Sequence, residues 1–253
     1  MVRSPDTRLL HPPLLALTTT AATAESLPQL LSELSAFALA IGFSPLHIAL
    51  LLLLLLGPNP LRRGGLLVLA WIVTAALTMT LLLTVGHGLL LSMDKGSSHR
   101  TGLDLLAAGA LLALGLKELL SSREESGQAP AWAAQLDRFC AMALPPLLGI
   151  SALLEVASPD DLFLFAKSAG SLLSAHLARL QELLITLGFS LLSAVLLLFP
   201  LLAVVLLGQE RVLPTLQRGK QWLLARGDAL VGVMGIAVAL YLGWQGIQGL
   251  RLG

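Results

Sequence analysis

Long apolar stretches joined by short polar connections set the pattern of this chain. Residues 36–56, 66–91, 103–120, 183–207 and 229–250 are each continuous enough to form a membrane-crossing helix, for which about 20 apolar residues suffice. A further stretch, 144–178, is longer and carries Glu155, Ser158, Pro159, Asp160, Asp161 and Lys167 near its centre. None of them alternates polar and apolar positions as a membrane barrel strand does. The pattern predicts an all-α polytopic membrane protein with six transmembrane helices.

Two prolines divide this pattern further. Proline removes a backbone donor and its ring clashes with the preceding turn, while the residue before it is driven toward extended backbone. Ser44-Pro45 in the first stretch and Ser158-Pro159 in the fourth are therefore expected to break helices one and four. Laying residues 40–48 over 154–162, an offset of 114, places His47 opposite Asp161. The third stretch of each half agrees at an offset of 124, with Asp104, Leu106, Ala108 and Ala113 over Asp228, Leu230, Gly232 and Ala237. Three spans per half is an odd number, so the second half enters the membrane from the opposite side. The expectation is two inverted three-helix repeats, 36–120 and 144–250, joined by a charged linker, 121–143, with a short surface helix around Trp132 to Cys140. Broken helices at matching places in inverted halves point to a transport site near the bilayer midplane. Residues 1–35 read either as an N-terminal tail or as a signal segment. Arg3, Arg8 and the Ala22-Thr23-Ala24 sequence favour a signal, whereas Pro12-Pro13 and Thr18 to Thr20 weaken its apolar centre.

Composition sharpens the class. With 56% hydrophobic and 12% charged residues and a mean hydropathy of +0.84, the chain lacks the polar surface of a soluble protein. Arg62, Arg63, Arg123, Arg138, Arg211, Arg218, Lys220 and Arg226 fall on one side of the expected topology. Lys95, Arg100, Arg179 and Arg251 fall on the other. The positive-inside rule then places the first group in the cytoplasm and both termini outside, in the inner (plasma) membrane. No basic patch with interleaved aromatics suggests a nucleic acid, and the lone Cys140 excludes an internal disulfide or a CxxC redox pair. No cofactor motif is present. Without HExxH or GxSxG, an intramembrane enzyme is not expected.

The candidate chemistry gathers at the breaks. An ionisable group in a bilayer core costs roughly 2.5–3.5 kcal/mol on the insertion scale, so Glu155, Asp160, Asp161 and Lys167 should face protein or a wet cavity. Adjacent carboxylates at Asp160 and Asp161 suit a proton, a cation or an amine. They also fit the first turn of a helix, where the dipole favours negative charge, and the two roles are compatible. His47 is a candidate relay or cation ligand, or a hydrogen-bonded packing residue. Lys167 reads first as a neutralising partner, and Glu155 as that partner or a pathway residue. Ser44, Pro45, Ser158 and Pro159 complete the candidate substrate- or ion-binding set; whether it takes a metal is not readable. His87 is expected at the membrane interface. Thr74, Thr78, Ser190 and Ser193 are expected to bond neighbouring carbonyls, and Gly109, Gly115, Gly232 and Gly235 to allow close helix contact.

Residues 40–48, then Pro60-Leu61-Arg62-Arg63-Gly64-Gly65, Trp71, Ala131-Trp132, Leu136-Asp137 and Ser158 to Leu162 resemble the GAP family. These are the Sap-like proteins named for peptidoglycolipid addressing, within the LysE transporter superfamily. The resemblance implies a six-helix exporter of two three-helix repeats that takes small solutes or ions; together with Asp160, Asp161 and His47 at the breaks, the expectation is a secondary transporter that moves a small solute or cation with proton coupling. It also raises a second reading, a non-transporting membrane scaffold or accessory protein for lipid or envelope export. One departure is chemical: relatives tend to carry Asn-Pro-Lys-Asn where this chain has Ser158-Pro159-Asp160-Asp161. Two carboxylates in place of a cation argue against carrying over an anionic or glycolipid substrate. The expected partners are the lipid bilayer and a small solute or cation; a homo-oligomer is compatible with the sequence, and nucleic acid is not expected.

Overall fold

The computed structural model describes residues 13–89, 98–124, 138–139 and 141–252. Most of the expected linker helix around Trp132 to Cys140 lies outside them. Among the described residues the fold is helical and has no strand. In chain order the helices are α1 (Pro13–Gly42), α2 (Pro45–Leu56), α3 (Pro60–Leu89), α4 (Ser98–Glu124) and α5 (Leu144–Ala157). They continue with α6 (Pro159–Ser174), α7 (Arg179–Ser193), α8 (Val195–Leu207) and α9 (Gln209–Leu252).

Three of these boundaries differ from the sequence expectation. Helix α1 starts well before residue 36, because Leu30, Leu34, Phe37, Ala38 and Ile41 form one buried stripe at helical spacing. Counting only the uninterrupted apolar run cuts that stripe short. The fifth apolar stretch is not one helix but two, α7 and α8, bent by 65° at Ala194. The basic stretch before residue 229, expected as a loop, is helical and continuous with the last span; its Val212, Leu216 and Leu223 are buried, and α9 packs along α2.

Among the described residues two helices are able, by length and composition, to cross a membrane, Pro60–Gly88 and Ala229–Arg251. The number rises to four if each bent pair, α1 with α2 and α7 with α8, is one span. Of the other expected spans, α4 carries Arg100, Asp104, Lys117 and Glu118, while α5 alone has only 14 residues. Large apolar side chains such as Leu77, Leu81, Phe199 and Leu206 stand exposed around the outside, as a lipid-facing surface requires.

Helix α2 sits at the centre. Its run from Ala49 to Leu55 is buried on nearly every side, between α3, α8 and α9, as expected of a helix apolar all round. Helices α4 and α9 make the longest contact, antiparallel, with Gly115 facing Gly232 and Gly235, and Thr101 facing Gly249. A Cβ on Gly115 would lie 2.8 Å from the Gly232 carbonyl oxygen, so glycine is what lets the two backbones meet. Gly109, expected in the same role, has open space around it.

Candidate functional site

Both Ser-Pro pairs are built alike. Helix α1 ends at Gly42; Ser44 is extended (φ −97°, ψ 104°), and Pro45 opens α2 at a position where a missing N–H costs little. The Ser44 carbonyl takes the Ile48 N–H at 3.0 Å. Likewise α5 ends at Ala157, Ser158 is extended (φ −68°, ψ 119°), Pro159 opens α6, and the Ser158 carbonyl takes the Leu162 N–H at 3.0 Å. The direction of the chain changes by 60° between α1 and α2.

One cavity of about 350 Å³ lies between the two joints. Phe43, Ser44 and His47 line it from the first, and Ser158, Asp160 and Asp161 from the second; Glu118 of α4 and Val231 of α9 complete it. The two aspartates occupy the first turn of α6, so the helix dipole and the cavity both act on them. Asp161 is buried and Asp160 half-buried, and the Ser158 hydroxyl donates to the Asp160 carboxylate. Among the described residues no three His, Cys, Asp or Glu side chains gather as metal ligands.

His47 ties the halves together. Its Nε2 lies 3.2 Å from the Ser151 carbonyl oxygen on α5, and its Nδ1 lies 2.8 Å from Ser44 Oγ. A carbonyl only accepts, so Nε2 carries the hydrogen, and in the neutral ring the Ser44 hydroxyl donates to Nδ1. The imidazole meets the Trp71 ring edge-on, centroids 4.6 Å apart, and Trp71 Nε1 donates to Ser193 Oγ at 3.2 Å. Ser193 in turn donates to the Ser190 carbonyl, and Ser190 to that of Thr186, as expected for helix hydroxyls in a membrane.

Not every candidate joins the cavity. Pro159 is exposed beside it. Glu155 is 0% exposed and lies behind it, on the same α5 face as Ser151, with no hydrogen-bond partner for either carboxyl oxygen. A bare carboxylate there would cost several kcal/mol. His87, half-exposed near the end of α3, reaches the Glu182 carboxylate on α7 at 3.1 Å.

Lys167 belongs to a second group. Its ammonium lies 2.5 Å from Asp104 and 3.8 Å from Glu33, and Arg100 lies 3.6 Å from Glu33. Glu33 also accepts from Ser171 Oγ at 2.8 Å, and Arg100 donates to Ser174 Oγ at 3.1 Å. All four charged residues are buried: Lys167 1% exposed, Asp104 3%, Glu33 and Arg100 7% each. In the sequence Asp104 reads only as a repeat match, Arg100 as a loop cation and Glu33 as part of the tail. The signal for two of them was there, since Glu33 sits on the apolar stripe of α1 and Asp104 one turn after Arg100 within an apolar run.

A helical, multi-pass membrane protein with a polar cavity lined from two Ser-Pro helix boundaries is the class these features define. Within that class, the chain belongs to the Sap, sulfolipid-1-addressing protein family, whose family model matches residues 34–248. No curated protein matches the chain, and no solved structure does.

Proposed function

We propose that this protein is a secondary transporter of the LysE type that exports a small solute or cation with proton coupling, through the cavity between the two Ser-Pro joints. The observation that carries the reading is that one cavity of about 350 Å³ is lined by both joints and receives Asp160, Asp161 and His47. That volume is in the range of small-molecule sites, roughly 300–1,000 Å³, and two carboxylates favour a cation or an amine within it. Six spans in two inverted halves account for the matched construction of the joints, since each half brings its broken helix to the middle. The basic residues favour a cytoplasmic linker 121–143 with the termini outside.

Replacing Asp161 by Asn tests this. Flux driven by a pH gradient in proteoliposomes is expected to disappear while the purified protein keeps its melting temperature. Unchanged flux removes the carboxylates from the mechanism. Thermal-shift screening of metals, amines and amino acids at two pH values identifies the ligand, because binding stabilises the folded state by mass action.

A second reading follows from the family description, which names the addressing of a sulfolipid. Here the protein is an accessory scaffold for lipid export and the linker 121–143 recruits the partner. Capture of a defined partner that is lost on linker deletion, without flux in pure vesicles, favours that reading.

A further inference from the structure

The first half of α9 gathers its arginines on one side. From Gln209 to Arg226 it carries Arg211, Arg218, Lys220 and Arg226 against a single acid, Glu210. At 3.6 residues per turn, Arg211, Thr215, Arg218, Trp222 and Arg226 fall within an arc of about 80°. All five are exposed, Trp222 by 51%. Glu210 and the half-buried Lys220 sit outside that arc. Among the described residues no carboxylate pairs with any of the three arginines. Val212, Leu216 and Leu223 are buried, so the segment has an inner apolar side and an outer side of guanidinium groups with an indole among them.

Its place is fixed by the end of α2. Gln209 Nε2 donates to the Leu55 carbonyl at 3.1 Å, and a Cβ on Gly219 would lie 3.8 Å from the Leu52 side chain. Helix α3 packs on the same turn, where a Cβ on Gly64 would lie 2.8 Å from the Leu55 side chain, and it brings the exposed Arg62 to that end. Before the segment, α8 exposes Phe199, Leu202 and Leu206 and ends at Leu207; after it, the last apolar span begins at Ala229. Both ends of the segment therefore adjoin lipid-facing helix. An exposed tryptophan among unpaired arginines suits the headgroup layer, where the ring meets the upper acyl chains and each guanidinium fork meets a phosphate.

We propose that Arg211, Arg218, Trp222 and Arg226, with Arg62 beside them, form a binding face for anionic phospholipid headgroups in the leaflet at the end of α2. Sidedness depends only on how many basic residues lie on one side of the membrane; the shared face and the tryptophan within it are what make a lipid site. About four to eight basic residues directly beside a span are enough to hold anionic lipids. The indole and the flanking lipid-facing helices favour a bilayer lipid over a soluble acidic partner. The face is separate from the cavity and does not depend on how that cavity is used.

The full chain is purified in detergent and titrated with phosphatidylglycerol or phosphatidylcholine, with bound lipid counted by native mass spectrometry. Wild type is expected to bind phosphatidylglycerol about tenfold or more tightly than phosphatidylcholine at low salt, and the preference is expected to shrink at high salt. Arg211→Gln/Arg218→Gln/Arg226→Gln is expected to lose most of the preference. Lys117→Gln/Arg179→Gln/Arg251→Gln removes the same charge from exposed positions elsewhere and is expected to keep it. No preference in wild type, equal losses in the two triple variants, or an unchanged α9 variant overturns the proposal. Glycerol phosphate displacing the lipid at equal concentration also overturns it, since the face would then take any small phosphate. Position is read in vesicles from the fluorescence lost in Trp222→Phe. Phosphatidylglycerol brominated at the headgroup end of its chains is expected to quench that share more than equally brominated phosphatidylcholine. Equal or absent quenching places Trp222 away from anionic lipid, leaves the face to a soluble acidic partner and overturns the proposal. Should the α9 variant fail to fold, the quenching comparison decides alone.

Discussion

At the scale of single residues, Glu155 and Lys167 illustrate two ways of burying charge. Lys167 is surrounded by opposite charge, whereas Glu155 has no hydrogen-bond partner on either oxygen. Removing an unpartnered buried carboxyl should relieve the protein: Glu155→Met, similar in volume and flexible, is expected to melt at or above wild type, by up to about 2 kcal/mol. A lower melting temperature would mean that the carboxyl has a stabilising partner after all. In the sequence Lys167 reads first as a neutralising partner and Glu155 as that partner or a pathway residue, so the contrast in their surroundings was not legible there. Nothing local to Lys167 announces that Glu33, more than a hundred positions earlier, will meet it; only the three-helix packing does that. His47, by contrast, was legible: two positions after a proline in an apolar run, it had to find polar partners, and Ser44 and the Ser151 carbonyl are those partners.

At the scale of elements, the prolines at 45 and 159 sit where helices end and begin, while Pro28, Pro200 and Pro214 lie inside α1, α8 and α9. Proline alone therefore did not separate joints from continuous helices. The bend at Ala194 was not legible, because it has no proline at the joint and depends on what α1 and α3 bring to Ser193. Glycines show the same limit. Gly109 and Gly115 look alike along α4, yet only Gly115 meets a facing backbone. Gly115→Ala is expected to destabilise by about 1–3 kcal/mol through overpacking. Gly109→Ala should be neutral or stabilise by up to about 1 kcal/mol, as alanine favours helix. Thermal unfolding of the two variants side by side checks both, and equal losses would show that α4 and α9 do not meet at Gly115.

For the whole molecule, hydropathy gave the membrane class and the helical architecture, because backbone groups in lipid have to be satisfied within helices. The number of spans was less legible. Helix α4 carries charges that only make sense once α1 and α6 surround them, and α5 needs α6 to gain length. Sidedness is open to direct measurement through the single Cys140 of the linker. An impermeant maleimide is expected to label it in inside-out vesicles and not in intact cells; the reverse pattern would turn the proposed topology over. The close approach of Gly42 to the Ser193 carbonyl has a mechanical consequence. It joins the hinge that ends α1 to the hinge that ends α7, main chain against main chain, with no side-chain rotamer between them to absorb displacement. A side chain at position 42 has no room there, so any substitution of Gly42 would have to force the two bends apart.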